Sequence, residues 1–178
     1  MAQTNPNSAI RDRIMTLDRE TAYTASLLGQ RFSATHQTPG TAITGQTSFV
    51  ATTPTLMIYQ SSAATRIVLS SLSLFLAGTA PGGTVDIAIA IDTANRYASG
   101  GTAITPQNGN AGSTASANAT FRYNPTASTA GSGTRYIAAF SLGTTAGTGI
   151  NYTPRDGIII PATGSILVYT WAATTGPT

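Results

Sequence analysis

The sequence is poor in the residues that carry charge and chemistry. It contains no cysteine and no lysine, and charged residues make up 8% of its 178 residues, where about 25% is typical. Without cysteine, disulfide bonds and thiolate metal sites are excluded. Catalysis near neutral pH needs a positioned acid, base, nucleophile or metal, and the only histidine, His36, falls in a predicted connector. We therefore expect no enzyme activity, no cofactor and no bound metal ion.

The few carboxylates of the predicted β-structure, Asp86, Asp92 and Asp156, do not predict a catalytic pair. Asp86 and Asp92 share the parity of one predicted strand, so they are expected on the same face but about 20 Å apart, too far for a glycosidase pair. Asp92 and Asn95 could donate oxygens to a cation, but the segment lacks the acid density of calcium loops. An ordinary Asx turn is the alternative.

The excess of positive charge does not predict nucleic-acid binding. All nine basic residues are arginines, they are spread along the chain, and six acids accompany them to leave a net charge of +3. Duplex binding requires clustered cations that displace counterions. The polar N-terminus has no signal-peptide core, and no run of residues is long and apolar enough to span a bilayer. We therefore expect a protein made in a cytoplasm, without a membrane or nucleic acid as its partner.

The charge that the chain does have is concentrated near its N-terminus. Residues 11–20 hold six of the charged side chains. Around them Ile10, Ile14 and Leu17 follow the i, i+4, i+7 spacing of one helical face, which predicts a short amphipathic helix over about residues 8–20. A helix this short is marginal in water, so its apolar stripe needs a partner surface. The predicted partner-binding residues of this helix are Ile10, Arg11, Arg13, Ile14 and Leu17.

The rest of the chain predicts a connector followed by β-structure. Residues 1–46 are expected to form an N-terminal arm, in which the helix is followed by an extended connector rich in glycine and small polar residues. Residues 47–178 are expected to form one β-sandwich domain, because short apolar runs alternate with Gly, Pro and Asn clusters. The predicted strands are 55–60, 66–77, 85–92, 119–123, 136–142, 157–160 and 165–172.

Several of these segments carry more specific signals. Strict alternation over 85–92 predicts one buried and one more exposed face. In 66–77 the parity of the apolar residues changes at Ser70, which predicts a β-bulge. The short connection 78–83 predicts that the strands on either side of it are antiparallel neighbours. The low-complexity segment 98–118 predicts a long loop.

Aromatic residues supply the remaining candidate site. Tyr169 and Trp171 are two residues apart on the last predicted strand and therefore share a face. Two arginines, Arg122 and Arg135, are each followed by a tyrosine. Exposed aromatics beside arginine are typical of protein interfaces and of sugar-stacking surfaces, whereas the alternative is core aromatics with arginines that extend to solvent. Tyr169 and Trp171 are therefore candidate partner-binding residues.

A polar arm with one short helix, followed by a β domain rich in Thr, Ala and Gly, resembles the jelly-roll virion proteins of tailed bacteriophages. The resemblance rests on strands 66–77 and 85–91, the turn 161–164 and strand 165–172, and it is closest to capsid decoration (cement) proteins. It implies a mainly β fold, an antiparallel sandwich with jelly-roll strand order and an extended N-terminal arm. An immunoglobulin-like strand order is the alternative.

The same resemblance implies a function without an active site. Decoration proteins sit on the capsid surface of the virion, often as homotrimers, and bridge neighbouring subunits of the major capsid protein. Such binding depends on interface area and multivalency. The alternatives are a tail-fibre or receptor-binding module that recognises host surface glycans, and a cellular β-sandwich adhesin or carbohydrate-binding module.

Overall fold

The computed structural model describes residues 23–36, 38, 41–60, 65–78, 83–155, 157–173 and 176–177. The packing of the chain divides these residues into two compact units. The described residues up to Ala34 and those from Pro106 to Ala117 form the first unit, and the others form the second unit. The helix predicted over residues 8–20 lies outside the described residues.

Most of the regular structure is antiparallel β-strand, which confirms the predicted mainly β class. All seven segments predicted as strands contain a strand, because their apolar runs and flanking turn residues are local signals. In chain order the strands are β1 (Phe32–Ser33), β2 (Leu56–Gln60), β3 (Ile67–Leu69), β4 (Leu72–Phe75), β5 (Val85–Asp92), β6 (Tyr97–Ile104), β7 (Gln107–Asn108), β8 (Ala119–Ala127), β9 (Arg135–Leu142), β10 (Gly149–Tyr152), β11 (Ile158–Ile160) and β12 (Ser165–Ala172).

The first unit is small and is held together by asparagine side chains. Residues 23–27 are helical, and β1 pairs antiparallel with β7. Asn108 Nδ2 donates hydrogen bonds to the carbonyl oxygens of Gly29 at 3.0 Å and Ala115 at 3.1 Å. Asn110 Nδ2 donates to the carbonyl oxygen of Leu27 at 3.1 Å. These amides satisfy backbone carbonyls in a unit that has few ladder hydrogen bonds of its own.

Six strands of the second unit form one antiparallel sheet, in the order β6-β8-β2-β12-β5-β9. Strand β12 lies inside this sheet and pairs with β5 along its whole length, from Ser165 opposite Asp92 to Ala172 opposite Val85. On its other side β12 pairs with β2 over four residues. Both faces of β12 are covered, which explains why its sequence is apolar without strict alternation.

The other strands of the second unit form a two-stranded ribbon, in which β3 pairs with β11 and β4 pairs with β10. The ladder is interrupted between the Leu69–Ile158 pair and the Leu72–Tyr152 pair. Across this interruption the residues that face the core change from odd-numbered positions, such as Ile67 in β3, to even-numbered positions, such as Leu72 in β4. The sequence predicts this change. The irregularity is a break in the ladder that involves both strands, which is larger than the single-residue bulge expected.

The largest hydrophobic core lies between the ribbon and one face of the six-stranded sheet, which we call the aliphatic face. Its residues come from both layers, so the second unit is sandwich-like. β-Branched side chains dominate it because they fit a pleated surface and lose little rotamer freedom there. Its buried members are Ile58, Ile87, Ile89, Ile150, Ile160, Ile166 and Val168.

A second core covers the opposite face of the same sheet, which we call the aromatic face. Its buried members are Met57, Tyr59, Ala88, Ala90, Ala127, Leu167 and Tyr169. Because Ala88 and Ala90 belong to it, the expectation that one face of β5 is more exposed than the other was wrong. Alanine alternating with isoleucine is compatible with a strand that is covered on both faces. Large side chains from neighbouring strands then pack over the alanines.

Two further expectations about connections were wrong. Strands β4 and β5 are not neighbours, because β4 pairs with β10 and β5 pairs with β12 and β9. The segment 98–118 is not one loop, because β6 and β7 lie in it. Strand β6 lacks apolar alternation, so its pairing with β8 and the left-handed φ angles of Gly100 and Gly101 could not be read from the sequence.

The contrast between the aliphatic core and the ribbon's outer surface predicts a difference in stability between two isoleucine variants. Ile89 is fully buried, so Ile89→Ala should lower the free energy of unfolding by about 3 kcal/mol through lost burial and a residual cavity. Ile159 is 59% exposed, so Ile159→Ala should lower it by less than about 1 kcal/mol. Urea denaturation followed by circular dichroism measures both. Equal losses would mean that the ribbon's outer surface is buried in solution.

Candidate functional site: the aromatic face

Four aromatic side chains from three parts of the second unit meet on the aromatic face. Tyr169 and Trp171 come from β12 and Tyr136 from β9, while Phe49 comes from the loop of residues 47–54. The Phe49 ring centroid lies 5.0 Å from that of Tyr169, 5.4 Å from that of Trp171 and 6.0 Å from that of Tyr136. Tilted and edge-to-face contacts of this kind are the favoured geometries for aromatic pairs.

Strand β12 also positions the loop that carries Phe49. Before the loop, the Gln46 amide donates to the carbonyl oxygen of Thr170 at 2.9 Å. After the loop, the Thr55 amide donates to the carbonyl oxygen of Val168 at 2.8 Å. Both ends of the loop are thus hydrogen-bonded to β12, and Phe49 between them lies on the aromatic face.

The floor beneath these rings is made of small residues. Ala88 lies between Tyr169 of β12 and Ala139 of β9 in the strand register, and Ala90 lies opposite Tyr136. A larger side chain at Ala88 or Ala90 would occupy the space that the Tyr169 and Tyr136 rings fill. The Tyr169 and Tyr136 ring centroids are 6.4 Å apart across this floor.

Tyr169 is the anchor of the cluster rather than an exposed contact residue. Its side chain is 3% exposed, and its hydroxyl donates to the carbonyl oxygen of Ala51 at 2.9 Å. Burial, with smaller effects from Tyr136 and Asp92, raises the pKa of the Tyr169 phenol, so it stays neutral and keeps this hydrogen bond. Tyr136, in contrast, is 53% exposed and presents its ring to solvent.

A shallow depression adjoins the aromatic cluster where β12, β5 and β9 run side by side. Its volume is about 180 Å³. Trp171 and Asp86 are opposite each other in the register, as are Asp86 and Ser141. The Ser141 hydroxyl donates to Asp86 Oδ1 at 2.6 Å. The depression therefore combines an aromatic wall, a carboxylate and a hydroxyl.

A second aromatic cluster supports the edge of the sheet at β6. The rings of Tyr59 and Tyr97 are stacked, with centroids 4.7 Å apart and an interplanar angle of 6°. The Arg122 guanidinium lies 5.0 Å from the Tyr97 ring centroid, and its Nη1 donates to the carbonyl oxygens of Gly100 at 3.2 Å and Gly101 at 2.9 Å. Arg122 therefore binds the backbone of the Gly100–Gly101 segment of β6, where φ is left-handed, as well as contacting an aromatic ring.

The carboxylate considered for a cation is engaged by protein donors. Asp92 Oδ1 accepts from the Ala94 amide at 2.8 Å in an Asx turn. Its Oδ2 accepts from Arg96 Nε at 2.7 Å and from the Thr134 hydroxyl. Burial opposes ionisation, but these hydrogen bonds and the arginine charge outweigh it, so the pKa of Asp92 lies below its usual value of 3.8. Asp92 thus joins the turn after β5 to the turn before β9.

Of the predicted site residues, the structure places Tyr169 and Trp171 together on the aromatic face. The predicted Arg–Tyr neighbours do not act as pairs, because successive strand residues point to opposite faces. Arg122 instead contacts Tyr97, whereas Tyr123 on the aliphatic face lies 5.0 Å from His36 between ring centroids. The other predicted partner-binding residues, Ile10, Arg11, Arg13, Ile14 and Leu17, lie outside the described residues.

Sequence reasoning missed Phe49 and the Asp86–Ser141 pair, and it considered Tyr136 only as the neighbour of Arg135. Phe49 is followed by Val50 and Ala51 between short runs of Thr and Ser, and this apolar segment is too short to show a periodicity. Within the described part of the chain, no three His, Asp or Glu side chains are grouped closely enough to hold a metal ion. No helix among the same residues has the length and hydropathy needed to cross a membrane.

The Asp92 hydrogen-bond network predicts a pH-dependent contribution to stability. Asp92→Asn should lower the free energy of unfolding near pH 7 by about 2–3 kcal/mol, because it leaves Arg96 without its counter-charge. The folded pKa of Asp92 is lower than its unfolded pKa, so this contribution is present above the unfolded value and is lost as the pH falls through the folded value. The difference between wild type and variant should therefore shrink from about pH 5 downwards.

Urea denaturation at a series of pH values measures this difference, and Asp86→Asn is the matched control. Asp86 is only half-buried, so its replacement should cost less than about 1 kcal/mol. A constant difference between wild type and Asp92→Asn down to about pH 3 would show that the Asp92 charge does not contribute.

Comparison with known proteins supplies no relative for this chain. No protein-family model matches it, and neither a curated protein nor a solved structure gives a significant match.

Proposed function

We propose that this chain is a non-enzymatic structural protein of a virion that decorates a phage capsid and stabilises it by bridging neighbouring capsid subunits. Its proposed partners are the major capsid protein and copies of itself, as a homotrimer on the capsid surface. In this proposal the protein is made in the host cytoplasm before it joins the particle. Two features support it: the winding of the strands and the outer surface of the ribbon.

The winding of the strands supports a jelly roll. A jelly roll is obtained by rolling up one long antiparallel hairpin, so that first and last strands pair, then second and seventh, third and sixth, and fourth and fifth. With β3–β4 and β10–β11 each taken as one strand, β2 pairs with β12, the two ribbon strands with each other, β5 with β9, and β6 with β8. This nested order is the one expected of a jelly roll, a fold used by viral capsid proteins among others.

The second unit also departs from the usual jelly roll in one pairing. Strand β8 pairs with β2, so the β6–β8 hairpin extends the six-stranded sheet. In two equal sheets that hairpin would lie beside the ribbon. Among the described strands, each strand of the ribbon therefore has a single partner, and both edges of the ribbon are open. Open edges and an uncovered face are features that a protein partner can use.

The outer surface of the ribbon is the observation that carries the proposal. Val68 and Ile159 are directly paired across β3 and β11, and they are 58% and 59% exposed. Phe75 at the other end of the ribbon is 60% exposed. Isolated exposed apolar residues are ordinary, but a cross-strand pair with a phenylalanine on the same ribbon is typical of a protein–protein contact. We assign this surface to the contact with capsid subunits.

The N-terminal segment is the second proposed contact. Ile10, Ile14 and Leu17 are its proposed anchors, because the predicted amphipathic helix needs a surface on which to bury its stripe. Two contacts per chain would raise the effective affinity for a repeating capsid lattice without any single strong site.

The location of the protein in purified particles tests the proposed function. Electron microscopy of virions labelled with an antibody against the chain should show signal over the whole capsid surface, at many symmetric positions. Labelling confined to the tail tip would instead favour the receptor-binding alternative and would contradict capsid decoration.

A charge on the ribbon's outer surface should abolish capsid binding without unfolding the chain. Ile159→Asp would place an uncompensated carboxylate in the apolar contact, and we expect at least about a tenfold loss of binding. Co-sedimentation with empty capsids that lack the protein measures this loss. Because Ile159 is exposed, the thermal midpoint should fall by only a few degrees.

The matched control is Asn151→Asp, which adds the same charge to the same ribbon at a polar pair. Asn151 Oδ1 accepts a hydrogen bond from the Ser73 hydroxyl at 2.7 Å. This variant should bind capsids as wild type does. Unchanged binding by Ile159→Asp would exclude the ribbon as the contact, and equal loss in both variants would mean that charge, not apolar burial, decides binding.

A further inference from the structure

The depression on the aromatic face has a chemistry that the proposed capsid contact does not use. It is lined by Asp86, Ile87, Ala139, Phe140, Ser141 and Trp171. It lies on the face of the six-stranded sheet opposite the aliphatic core, so the ribbon does not cover it. Its polar groups and its aromatic wall come from three adjacent strands, which hold them at fixed separations.

Asp86 and Ser141 form the polar side of the depression. The hydrogen bond from the Ser141 hydroxyl to Asp86 Oδ1, at 2.6 Å, fixes the orientation of the carboxylate. An ionised carboxylate has about four acceptor sites, and Ser141 occupies one of them. The remaining sites can accept hydroxyl groups from a ligand, and hydrogen bonds to a charged acceptor are stronger than neutral ones.

Trp171 forms the opposite side. The edge-to-face contact with Phe49 holds the indole in place, and the side chain remains partly exposed beside the depression. A pre-oriented aromatic ring next to a carboxylate suits a ligand with an apolar C–H face and a hydroxylated edge, and a pyranose ring has both.

We propose that this depression binds the terminal pyranose ring of a neutral glycan, with the ring stacked on Trp171 and its hydroxyls donating to Asp86. Ser141 positions the Asp86 carboxylate and offers a further hydroxyl to the sugar. This binding function goes beyond capsid decoration and does not depend on it.

Charge and size select the ligand class. Of the described residues that line the depression, Asp86 alone is charged, so a sugar carrying a carboxylate, sulfate or phosphate would be repelled. The volume of about 180 Å³ is smaller than the roughly 300–1,000 Å³ of pockets that enclose whole small molecules. The depression therefore accommodates one ring at the end of a chain and leaves the rest of the glycan in solvent.

The single tryptophan makes the proposal directly testable on the free protein. Trp171 is the only tryptophan in the chain, so its fluorescence reports on the depression alone. We expect a saturable fluorescence change with at least one of the methyl glycosides of glucose, galactose, mannose and N-acetylglucosamine. The dissociation constant should be on the order of 1 mM, because only one face of one ring is covered. N-acetylneuraminic acid should produce no saturable change.

Conservative variants connect binding to the assigned groups. Asp86→Asn should weaken binding of the responding glycoside at least about tenfold, since the charged acceptor is lost while the side chain keeps its size. Ser141→Ala should weaken binding by a smaller factor. Ser73→Ala, which removes a hydroxyl from the ribbon, should leave the titration unchanged. Circular dichroism of each variant verifies the fold, and saturation-transfer NMR on the wild type detects binding without any variant.

Two results would overturn the proposal. One is the absence of both a saturable fluorescence change and saturation transfer for all four neutral glycosides up to about 50 mM, well above the expected dissociation constant. The other is binding that Asp86→Asn leaves unchanged. Because these titrations use no capsids, their failure would leave the capsid-binding experiments unaffected, and the converse also holds.

Discussion

The pairing of β12 on both sides is the constraint on which the second unit depends. Strand β12 lies between β2 and β5 in the six-stranded sheet, and it contributes buried side chains to both cores. The loop that carries Phe49 is also tied to β12 at both ends. Because every one of these contacts is distant in sequence, the sheet, the aliphatic core and the aromatic face all depend on long-range pairing with β12.

The two faces of the sheet differ because β5 carries side chains of two sizes. Its isoleucines fill the aliphatic core, whereas Ala88 and Ala90 leave room on the other side. Neighbouring strands and the 47–54 loop occupy that room with aromatic rings, which is close packing achieved with one large and one small partner. Where the rings end, at Asp86 and Ser141, the same small-residue floor leaves the shallow depression.

Three charged residues of the second unit, Asp92, Arg96 and Arg122, hold turns and backbone segments in place. Asp92 and Arg96 join two turns through a short ion pair, and Arg122 caps the backbone of β6 while contacting Tyr97. A partly buried, hydrogen-bonded charge costs desolvation free energy, so each of these residues is placed where it satisfies several partners. A surface of Thr, Ser and Asn with little charge also offers less repulsion to a closely packed neighbour, in agreement with the proposed role in an assembly.

The sequence by itself determined that the fold is mainly β and located eight of the twelve described strands, because alternation and turn residues act over a few positions. It gave no such signal for β1, β6, β7 and β10. It also predicted that Tyr169 and Trp171 share a face and that parity changes near Ser70. Only the tertiary structure decided which strands pair, that Phe49 reaches Tyr169, and that Ser141 meets Asp86 from 55 residues away. These contacts depend on the closure of long loops, whose outcome is set by the packing of the whole sheet and leaves no local signal in the residues concerned.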